Sequence, residues 1–210
     1  MSGPPTAQND RRYHHGNLRN ALIIAAAELI EENGSTDFAM IDAARRAGVS
    51  NAAPYRHFSD RDDLLAAVCQ LGFMALGERT AAVAAEYPPG SRACIIALGR
   101  TYISFLAEHP AFHSLMWGEQ SRGALPEESA QDAPVGFYIL VEAVRDWCEA
   151  RNVEATDPLE LAIKLWGVAH GLALLAMNGQ IDRFMRGVDA HAMFDSATNT
   201  FLDGLEQSAH

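Results

Sequence analysis

Cysteines are scarce in this sequence, and the three that it has lie far apart. Cys69, Cys94 and Cys148 form no CxxC pair. An odd and scattered set of cysteines without a secretion signal is typical of a reducing compartment and not of a disulfide-stapled domain. We therefore expect a cytoplasmic protein in which the cysteines serve as small buried apolar residues.

Signal-peptide and membrane-span patterns are also missing. Residues 1–9 are polar and proline-rich and lack the apolar core of a signal peptide, so we expect a flexible tail there. The most apolar stretch, 159–177, is interrupted by Lys164 and His170. This pattern is that of an amphipathic helix, and we expect no membrane span.

Basic residues are outnumbered, with 16 Lys and Arg against 27 Asp and Glu and a net charge of −11. Such a balance argues at first against a nucleic-acid partner, but contact with phosphates depends on the local charge. Residues 1–60 are nearly balanced, and most of the negative charge lies in 61–210. Arg11, Arg12 and Arg19 have a single acidic neighbour, Asp10, which predicts a small basic arm.

Alternating patterns that would indicate β-strands are absent, and apolar residues instead recur at spacings of three and four. With 210 residues, 49% of them hydrophobic, the chain can bury a substantial core. The pattern predicts an all-α protein of about nine helices, with a surface loop at 119–134. In the second helix, Ile41, Ala44 and Ala47 are expected to face inward. The predicted helices cover about 18–33, 40–47, 51–57, 60–85, 91–107, 110–118, 135–150, 158–178 and 189–207.

Residues 39–58, AMIDAARRAGVSNAAPYRHF, have the pattern of two short helices joined by a tight turn. Gly48 permits the positive φ that such a turn requires, and Val49 is expected to fill the angle between the helices. Ser50 is the predicted N-cap of the second short helix, and Ser59 is the predicted N-cap of the long helix that follows.

The second helix of this motif carries side chains suited to DNA. Its small residues allow close approach to base edges, and its longer side chains can reach phosphates. The geometry fits a recognition helix in the major groove. The candidate DNA-binding residues, with those of the arm and the preceding helix, are Arg11, Arg12, Arg45, Arg46, Ser50, Asn51, Ala52, Ala53, Tyr55, Arg56 and His57.

The segment GVSNAAPYRHFSDRDDLLAAV, preceded by an amphipathic helix that ends in GSTDF, resembles the TetR family of repressors over about residues 17–76. A second likeness involves YHHGNLRNAL near the start and WGVAHGLAL, with Trp166, His170 and Gly171, near the end. These stretches resemble a TetR subgroup whose C-terminal domain bears a Trp-His-Gly signature. Matches at opposite ends of the chain argue against a chance likeness.

The resemblance implies three parts. They are a flexible tail and basic arm at 1–16, a three-helix helix-turn-helix DNA-binding domain at 17–76 with its motif at 39–58, and a larger helical ligand-binding and dimerisation domain at 77–210. It further implies a homodimer formed through the last two long helices, a palindromic double-stranded DNA operator, and a repressor released by a small-molecule effector.

Four residues match the contact positions of the family's recognition helix, namely Asn51, Ala53, Tyr55 and His57, while Arg45 or Arg46 lies on the preceding helix. A lysine is common in the family where Asn51 stands, so one phosphate contact is expected to be missing. A hydroxyl residue is common where Ala39 stands, so the start of that helix is expected to fray, at a cost of about 1 kcal/mol.

Aromatic side chains and histidines of the later helices are the candidates for an effector pocket, and they suggest a hydrophobic or aromatic ligand. For any single aromatic residue among them, core packing is the favoured interpretation. Trp166 and His170 lie one helical turn apart and can touch, as a pocket or interface pair or as a packed tryptophan beside a hydrogen-bonded histidine. The candidate ligand-binding residues are Phe73, Phe105, His113, Trp117, Phe137, Trp147, Trp166 and His170.

Other chemistries have little support in the sequence. His109 and His113 have the spacing of two metal ligands on one helix, but Pro110 places His109 at or before the helix start. We therefore expect no metal and no cofactor. No GxSxG motif or glycine-rich phosphate loop occurs, so an enzymatic function has no support in the sequence. With the resemblance to a regulator family, we predict a protein that is not an enzyme. Two alternatives stay open: an all-helical enzyme with a vestigial motif, and a helical interaction module that acts through its acidic surface.

Overall fold

The computed structural model describes residues 8–118, 135–153 and 156–208, and every regular element within these ranges is helical. The prediction of an all-α fold is therefore confirmed, while the predicted surface loop at 119–134 lies outside the described residues. The elements are α1 (Gln8–Asn33), α2 (Met40–Arg46), a 3-10 helix (Pro54–Arg56), α3 (Arg61–Ala84), α4 (Arg92–Glu108), α5 (Pro110–Trp117), α6 (Val135–Arg151), α7 (Pro158–Met177), α8 (Gln180–Phe184) and α9 (Ala190–Ser208).

The described residues divide into two compact units, with the boundary inside α3 between Leu71 and Gly72. The first unit comprises 8–71 and 111–118, and the second comprises 72–110, 135–153 and 156–208. The first unit is built on α1 and α2, which pack together. Its buried core includes Leu22, Ala26, Ile30, Phe38, Met40, Ala43, Ala44, Phe58, Leu64, Val68 and Leu115.

The second unit is organised around α7, which packs against α4, α6, α8 and α9. Burial of apolar side chains between these helices is the main stabilising term of such a bundle. Trp147 on α6 is fully buried at the centre of this core. Its neighbours in the same cluster include Ile95, Leu98, Val144, Leu161, Ala162, Leu165 and Leu202.

Helix termini in the second unit lie where polar caps and chain breakers place them. The hydroxyl of Ser91 accepts the Cys94 N–H at 3.4 Å at the start of α4. The Asp157 carboxylate accepts the Leu159 N–H at 2.9 Å at the start of α7. Such N-caps satisfy amides that have no partner within the helix.

Two details of the helices differ from the sequence-based prediction. Helix α1 begins at Gln8 and not near Leu18, because its first turns carry no apolar period that a pattern could reveal. In α2, Met40 and Ala43 are buried beside Ala44, whereas Ile41 is exposed. The inward face of α2 is thus rotated by one residue from the predicted face. A helix of seven residues is too short for its apolar spacing to reveal this difference.

The cap of α3 and the presence of α8 also differ from the prediction. The carboxylate of Asp60, and not the Ser59 hydroxyl, accepts the Asp63 N–H at 2.9 Å. Asp63 in turn accepts the Ser59 N–H at 2.9 Å, so two acidic side chains share the amides at this helix start. The short helix α8 was not predicted, since five residues are too few to establish a helical period.

Candidate nucleic-acid interface and effector region

The turn after α2 has the backbone geometry that the sequence predicted. Gly48 has φ 69°, in the left-handed region that glycine enters without steric cost. The Gly48 N–H donates to the Arg45 carbonyl at 3.2 Å, and the Val49 N–H donates to the Ala44 carbonyl at 3.0 Å. These two bonds close the end of α2 and redirect the chain into residues 50–57.

The predicted recognition helix at 51–57 is not an α-helix but a turn followed by the 3-10 helix Pro54–Arg56. The Arg56 N–H donates to the Ala53 carbonyl at 3.2 Å, and the His57 N–H donates to the Pro54 carbonyl at 2.9 Å. Both bonds span three residues, as in a 3-10 helix. Pro54 has no N–H to place on the Ser50 carbonyl, and that carbonyl instead accepts the Ala53 N–H at 2.9 Å.

Most of the candidate side chains in this segment form an exposed face. Ser50, Asn51, Ala52, Tyr55 and Arg56 are exposed, and His57 is half-buried. Ala53 is buried and lies on the inner side of the segment. The exposed set combines small residues with a phenol and a guanidinium, which suits close contact with a groove and its phosphates.

The two arginines of α2 have different environments. The Arg45 side chain is 74% exposed, and its Nη1 forms a salt bridge with Oδ1 of Asp42 at 3.1 Å. The Arg46 side chain is 28% exposed and donates to Glu32 and Glu28 of α1. The hydrogen bond from Arg46 lowers the pKa of Glu32. Arg46 therefore fixes α2 to α1, and Arg45 is the arginine of this helix that is available to a ligand.

The start of α2 is capped despite the alanine at its N-cap position. The Asp42 carboxylate accepts the Ala39 N–H at 3.1 Å, so one half of a capping box is present. Arg61, at the start of α3, donates its Nε–H to the Phe38 carbonyl at 2.9 Å and lies 5.5 Å from the centre of the Phe38 ring. These contacts hold the entry to α2 in place and offset the fraying that Ala39 predicts.

Two candidates of the basic arm, Arg11 and Arg12, lie within the residue range of α1, and their side chains are outside the described residues. Arg19, further along the same helix, is exposed, and its guanidinium lies 5.1 Å from the centre of the Phe58 ring. The prediction that Arg11 and Arg12 contact DNA stays a prediction.

Three of the effector candidates lie together in the second unit. The ring of Phe137 on α6 lies 5.7 Å from that of Trp166 on α7, and Trp166 lies 5.8 Å from His170. The one-turn spacing of Trp166 and His170 thus brings their rings into contact, as the sequence predicted. Trp166 and His170 both contact the same residue of α4.

That residue is Tyr102, which sequence reasoning missed. Its hydroxyl lies 2.7 Å from Nδ1 of His170. Burial raises the pKa of Tyr102, and a hydrogen bond from Trp166 acts in the opposite direction. Tyr102 precedes His170 by 68 positions, so no local pattern links the two. The one available signal was that a partly buried tryptophan and histidine both require a polar partner.

The remaining candidates are dispersed. Phe73 is buried in the second unit, Phe105 packs on His109 at 5.0 Å, and Trp147 lies in the central core. His113 and Trp117 belong to the first unit, on α5, and burial lowers the pKa of His113. The eight candidates therefore do not form a single cluster within either unit.

The described residues show no metal cluster, and one of their helices is strongly apolar. Within the described residues, no three His, Cys, Asp or Glu side chains gather as a metal site. Helix α7 is long and apolar enough to cross a bilayer by length and composition alone, as core helices of soluble proteins also are. Its inward residues are Leu161, Ala162, Leu165, Ala169 and Ala173.

A short helix, a glycine turn and an exposed polar segment, followed by a larger helical unit, define a helix-turn-helix DNA-binding protein with a separate C-terminal domain. The family model for bacterial regulatory proteins of the tetR family matches residues 22–68. The model described as the tetracyclin repressor-like C-terminal domain matches residues 95–201, more than half of the chain. The chain belongs to the TetR family of transcriptional regulators.

Solved structures agree with this assignment. A protein of unknown function from Rhodococcus sp. RHA1 is 31% identical, with a TM-score of 0.79 over 92% of this chain and 98% of that one. The fold is also similar to a TetR/AcrR family regulator from Thermobifida fusca YX-ER1, at 20% identity and a TM-score of 0.59 over 90% of this chain and 98% of that one.

A further similar fold is the transcriptional regulator FadR from Bacillus subtilis, solved in complex with stearoyl-CoA. It is 19% identical, with a TM-score of 0.63 over 90% of this chain and 98% of that one. No curated protein matches the chain. Regulators of this family bind DNA and small-molecule ligands, are typically dimeric and generally cytoplasmic, and are generally not enzymes.

Proposed function

We propose that the protein is a homodimeric repressor that binds a palindromic operator and is released by a small hydrophobic effector. The observation that carries this proposal is the exposed face of residues 50–56 behind the Gly48 turn, with the exposed side chain of Arg45 beside it in the sequence. That face is polar and contains small residues, which is the composition that a major groove admits.

The contacts on this face divide by chemistry. Asn51 has an amide that can pair with the edge of an adenine, and so it can read sequence. Tyr55, Arg56 and Arg45 reach outward with donors suited to phosphate oxygens, and so they position the protein without reading sequence. Arg11 and Arg12 extend this charge as a basic arm. The acidic excess lies chiefly in 61–210, away from the motif in sequence.

We infer that the dimer forms through α7 and α9, as the predicted pairing requires. Within the single chain, α7 exposes Leu159, Ile163 and Leu175, and α9 exposes Phe201. A Cβ at Gly171 would meet no atom within 4 Å, so another helix could approach there. Covering these side chains with a second copy removes apolar surface from water, which also accounts for the membrane-like composition of α7.

We infer that the effector binds the second unit through the aromatic group of Phe137, Trp166, His170 and Tyr102. Membership of the Trp-His-Gly subgroup is part of this proposal, since its signature residues are the ones that converge on Tyr102. Mostly apolar rings with one hydroxyl and one imidazole suit a hydrophobic ligand with a single polar group. Because FadR was solved with stearoyl-CoA, long acyl thioesters are the first ligands to test.

Effector binding would release the protein from its operator through α3, the helix that contains residues of both units. Its first residue, Arg61, holds the Phe38 carbonyl at the entry to α2. An effector that moves α3 would thereby displace α2 and the following face. A coupling of about 1–3 kcal/mol between the two sites would lower operator affinity by roughly 5- to 150-fold.

The experiment is a selection of genomic fragments by the purified full chain. We expect a palindrome whose half-sites are about one helical turn apart, roughly 34–36 Å, since two recognition segments must enter successive major grooves. An Asn51→Ala variant should bind with relaxed preference at one base pair. If a folded, dimeric protein enriches no common sequence, with acyl thioester present or absent, the proposed function is wrong.

A further inference from the structure

Three polar side chains of the second unit form a hydrogen-bonded chain that the regulatory function does not use. Oγ of Ser104, on α4, lies 3.0 Å from Nε2 of His191, in the first turn of α9. Nδ1 of the same imidazole lies 3.1 Å from Oδ1 of Asp189. Both distances are within the range of ordinary hydrogen bonds. A hydroxyl, an imidazole and a carboxylate in this order are the parts of an activated serine.

The tautomer of the neutral His191 ring follows from its contact with the Asp189 carboxylate. The pKa of this carboxylate is lowered, first by the hydrogen bond from the His191 backbone N–H and further by the His191 side chain. An ionised carboxylate can only accept, so Nδ1 carries the proton and donates to Asp189. In the neutral ring, Nε2 then has a lone pair, and the Ser104 hydroxyl donates to it. This is the tautomer in which the imidazole can remove the serine proton.

The Ser104 hydroxyl is also directed differently from the hydroxyls of Thr101 and Thr200 on the same two helices. Thr101 donates to the Ala97 carbonyl at 2.8 Å, and Thr200 donates to the Ser196 carbonyl at 2.9 Å. Return of the hydroxyl to the carbonyl four residues earlier is the common arrangement of Ser and Thr in a helix. Ser104 instead meets an imidazole of another helix.

The three residues are partly exposed to solvent. The His191 side chain is 30% exposed, Ser104 is half-buried, and Asp189 is exposed. The base lies within hydrogen-bond reach of the nucleophile, and none of the three residues is fully buried.

We propose that Ser104 is a modification site that takes up one acyl group from an activated ester. Oγ attacks the carbonyl carbon and forms a new C–O bond while its proton passes to Nε2 of His191. The bond to the leaving alcohol then breaks, and the alcohol departs with that proton. The products are an ester on Ser104 and a free alcohol, with His191 neutral again. Asp189 orients the imidazole and stabilises it while it is protonated.

The test uses the full-length protein and p-nitrophenyl acetate, followed by release of p-nitrophenol and by intact-mass and peptide mass spectrometry. We expect one acetyl group per chain, located on Ser104 by the peptide map. The Ser104→Ala variant should lose this label, and the matched control Ser196→Ala, an exposed serine on α9, should keep it. His191→Gln should slow acetylation by about a hundredfold, as loss of a general base does.

The substitution at Asp189 must preserve the cap of α9, because Asp189 also accepts the His191 backbone N–H at 3.2 Å. Asparagine caps a helix as well as aspartate does. Asp189→Asn therefore keeps the cap and removes only the charge, and we expect slower acetylation with unchanged thermal unfolding. A purely structural role predicts no change in rate.

The proposal is overturned if Ser104 carries no label, or if it is labelled equally fast in wild type and in His191→Gln, with circular dichroism showing that both are folded. An acetyl group found only on residues other than Ser104 also overturns the proposal. Because no DNA is present in the experiment, its failure leaves the proposed regulatory function untouched.

Discussion

Replacing Tyr102 with phenylalanine removes one oxygen atom from the centre of the aromatic group in the second unit. Tyr102 is 8% exposed, and its hydroxyl serves both His170, at 2.7 Å, and Trp166. The phenyl ring keeps the packing volume, so the variant isolates the polar contribution. Without the hydroxyl, an imidazole nitrogen and an indole N–H lose a partner.

The size of the effect follows from those two groups. A buried polar group left without its hydrogen bond costs about 1–3 kcal/mol. His170 and Trp166 are half-buried, so water can compensate in part, and we expect a total loss of about 2 kcal/mol in the free energy of unfolding. For a chain of this size, that loss lowers the unfolding temperature by roughly 4–8 °C.

The assay is urea and thermal unfolding followed by far-ultraviolet circular dichroism. Tyr138→Phe is the matched control, since it removes the same atom from a tyrosine that is 57% exposed on α6. We expect the control to unfold like the wild type. If Tyr102→Phe and Tyr138→Phe are equally stable, the hydroxyl does not hold the signature residues together, and the role assigned to Tyr102 is wrong.

Two further predictions concern the second unit. A Cβ at Gly99 would lie 2.0 Å from the buried ring of Phe194, so Gly99→Ala should lower the free energy of unfolding in urea by about 1–3 kcal/mol. The control Gly204→Ala, whose Cβ would meet nothing within 4 Å, should be neutral or stabilising. Equal stability of the two variants would refute the close approach of α4 and α9. The Glu108 pKa is lowered by its hydrogen bond from Arg79, so this pair stabilises the fold above the ordinary Glu pKa and loses that effect as the pH falls through the lowered value. Stability measured from pH 7 to pH 3 should therefore decline less steeply in Glu108→Gln, and an unchanged slope would count against the pair.

Helix positions were predictable where apolar spacing and chain breakers agree. The ends of α4, α6, α7 and α9 lie within about one residue of the predicted bounds, because capping residues and prolines act locally. Local signals failed where the segment was short. The predicted helix at 51–57 contains Pro54, and only Pro54–Arg56 of it are helical, as a 3-10 helix. The buried face of α2 is set by contacts with α1 that no period in α2 reveals.

The candidate interface was predictable in outline, and its details depend on tertiary contacts. The motif indicated residues 45–57, but it could not distinguish Arg45 from Arg46, because Glu32 lies 14 positions from Arg46. It also could not show that Ala53 is buried. The same reasoning applies to Tyr102 and to the partners of Ser104, which are brought together from distant helices by the packing of the second unit.

The most direct measurement of DNA binding by the α2 face compares two arginines with similar local settings. Arg45 and Arg145 are both exposed, and each pairs with an acidic residue three positions earlier, Asp42 and Glu142. Affinity of the selected operator is measured for wild type, Arg45→Ala and Arg145→Ala over a range of salt concentrations. We expect Arg45→Ala to weaken binding and to reduce the slope of log affinity against log salt by about one, while Arg145→Ala matches the wild type. If both variants bind DNA like the wild type, or if both lose the same affinity, the face formed by α2 and residues 50–56 is not the DNA-binding surface.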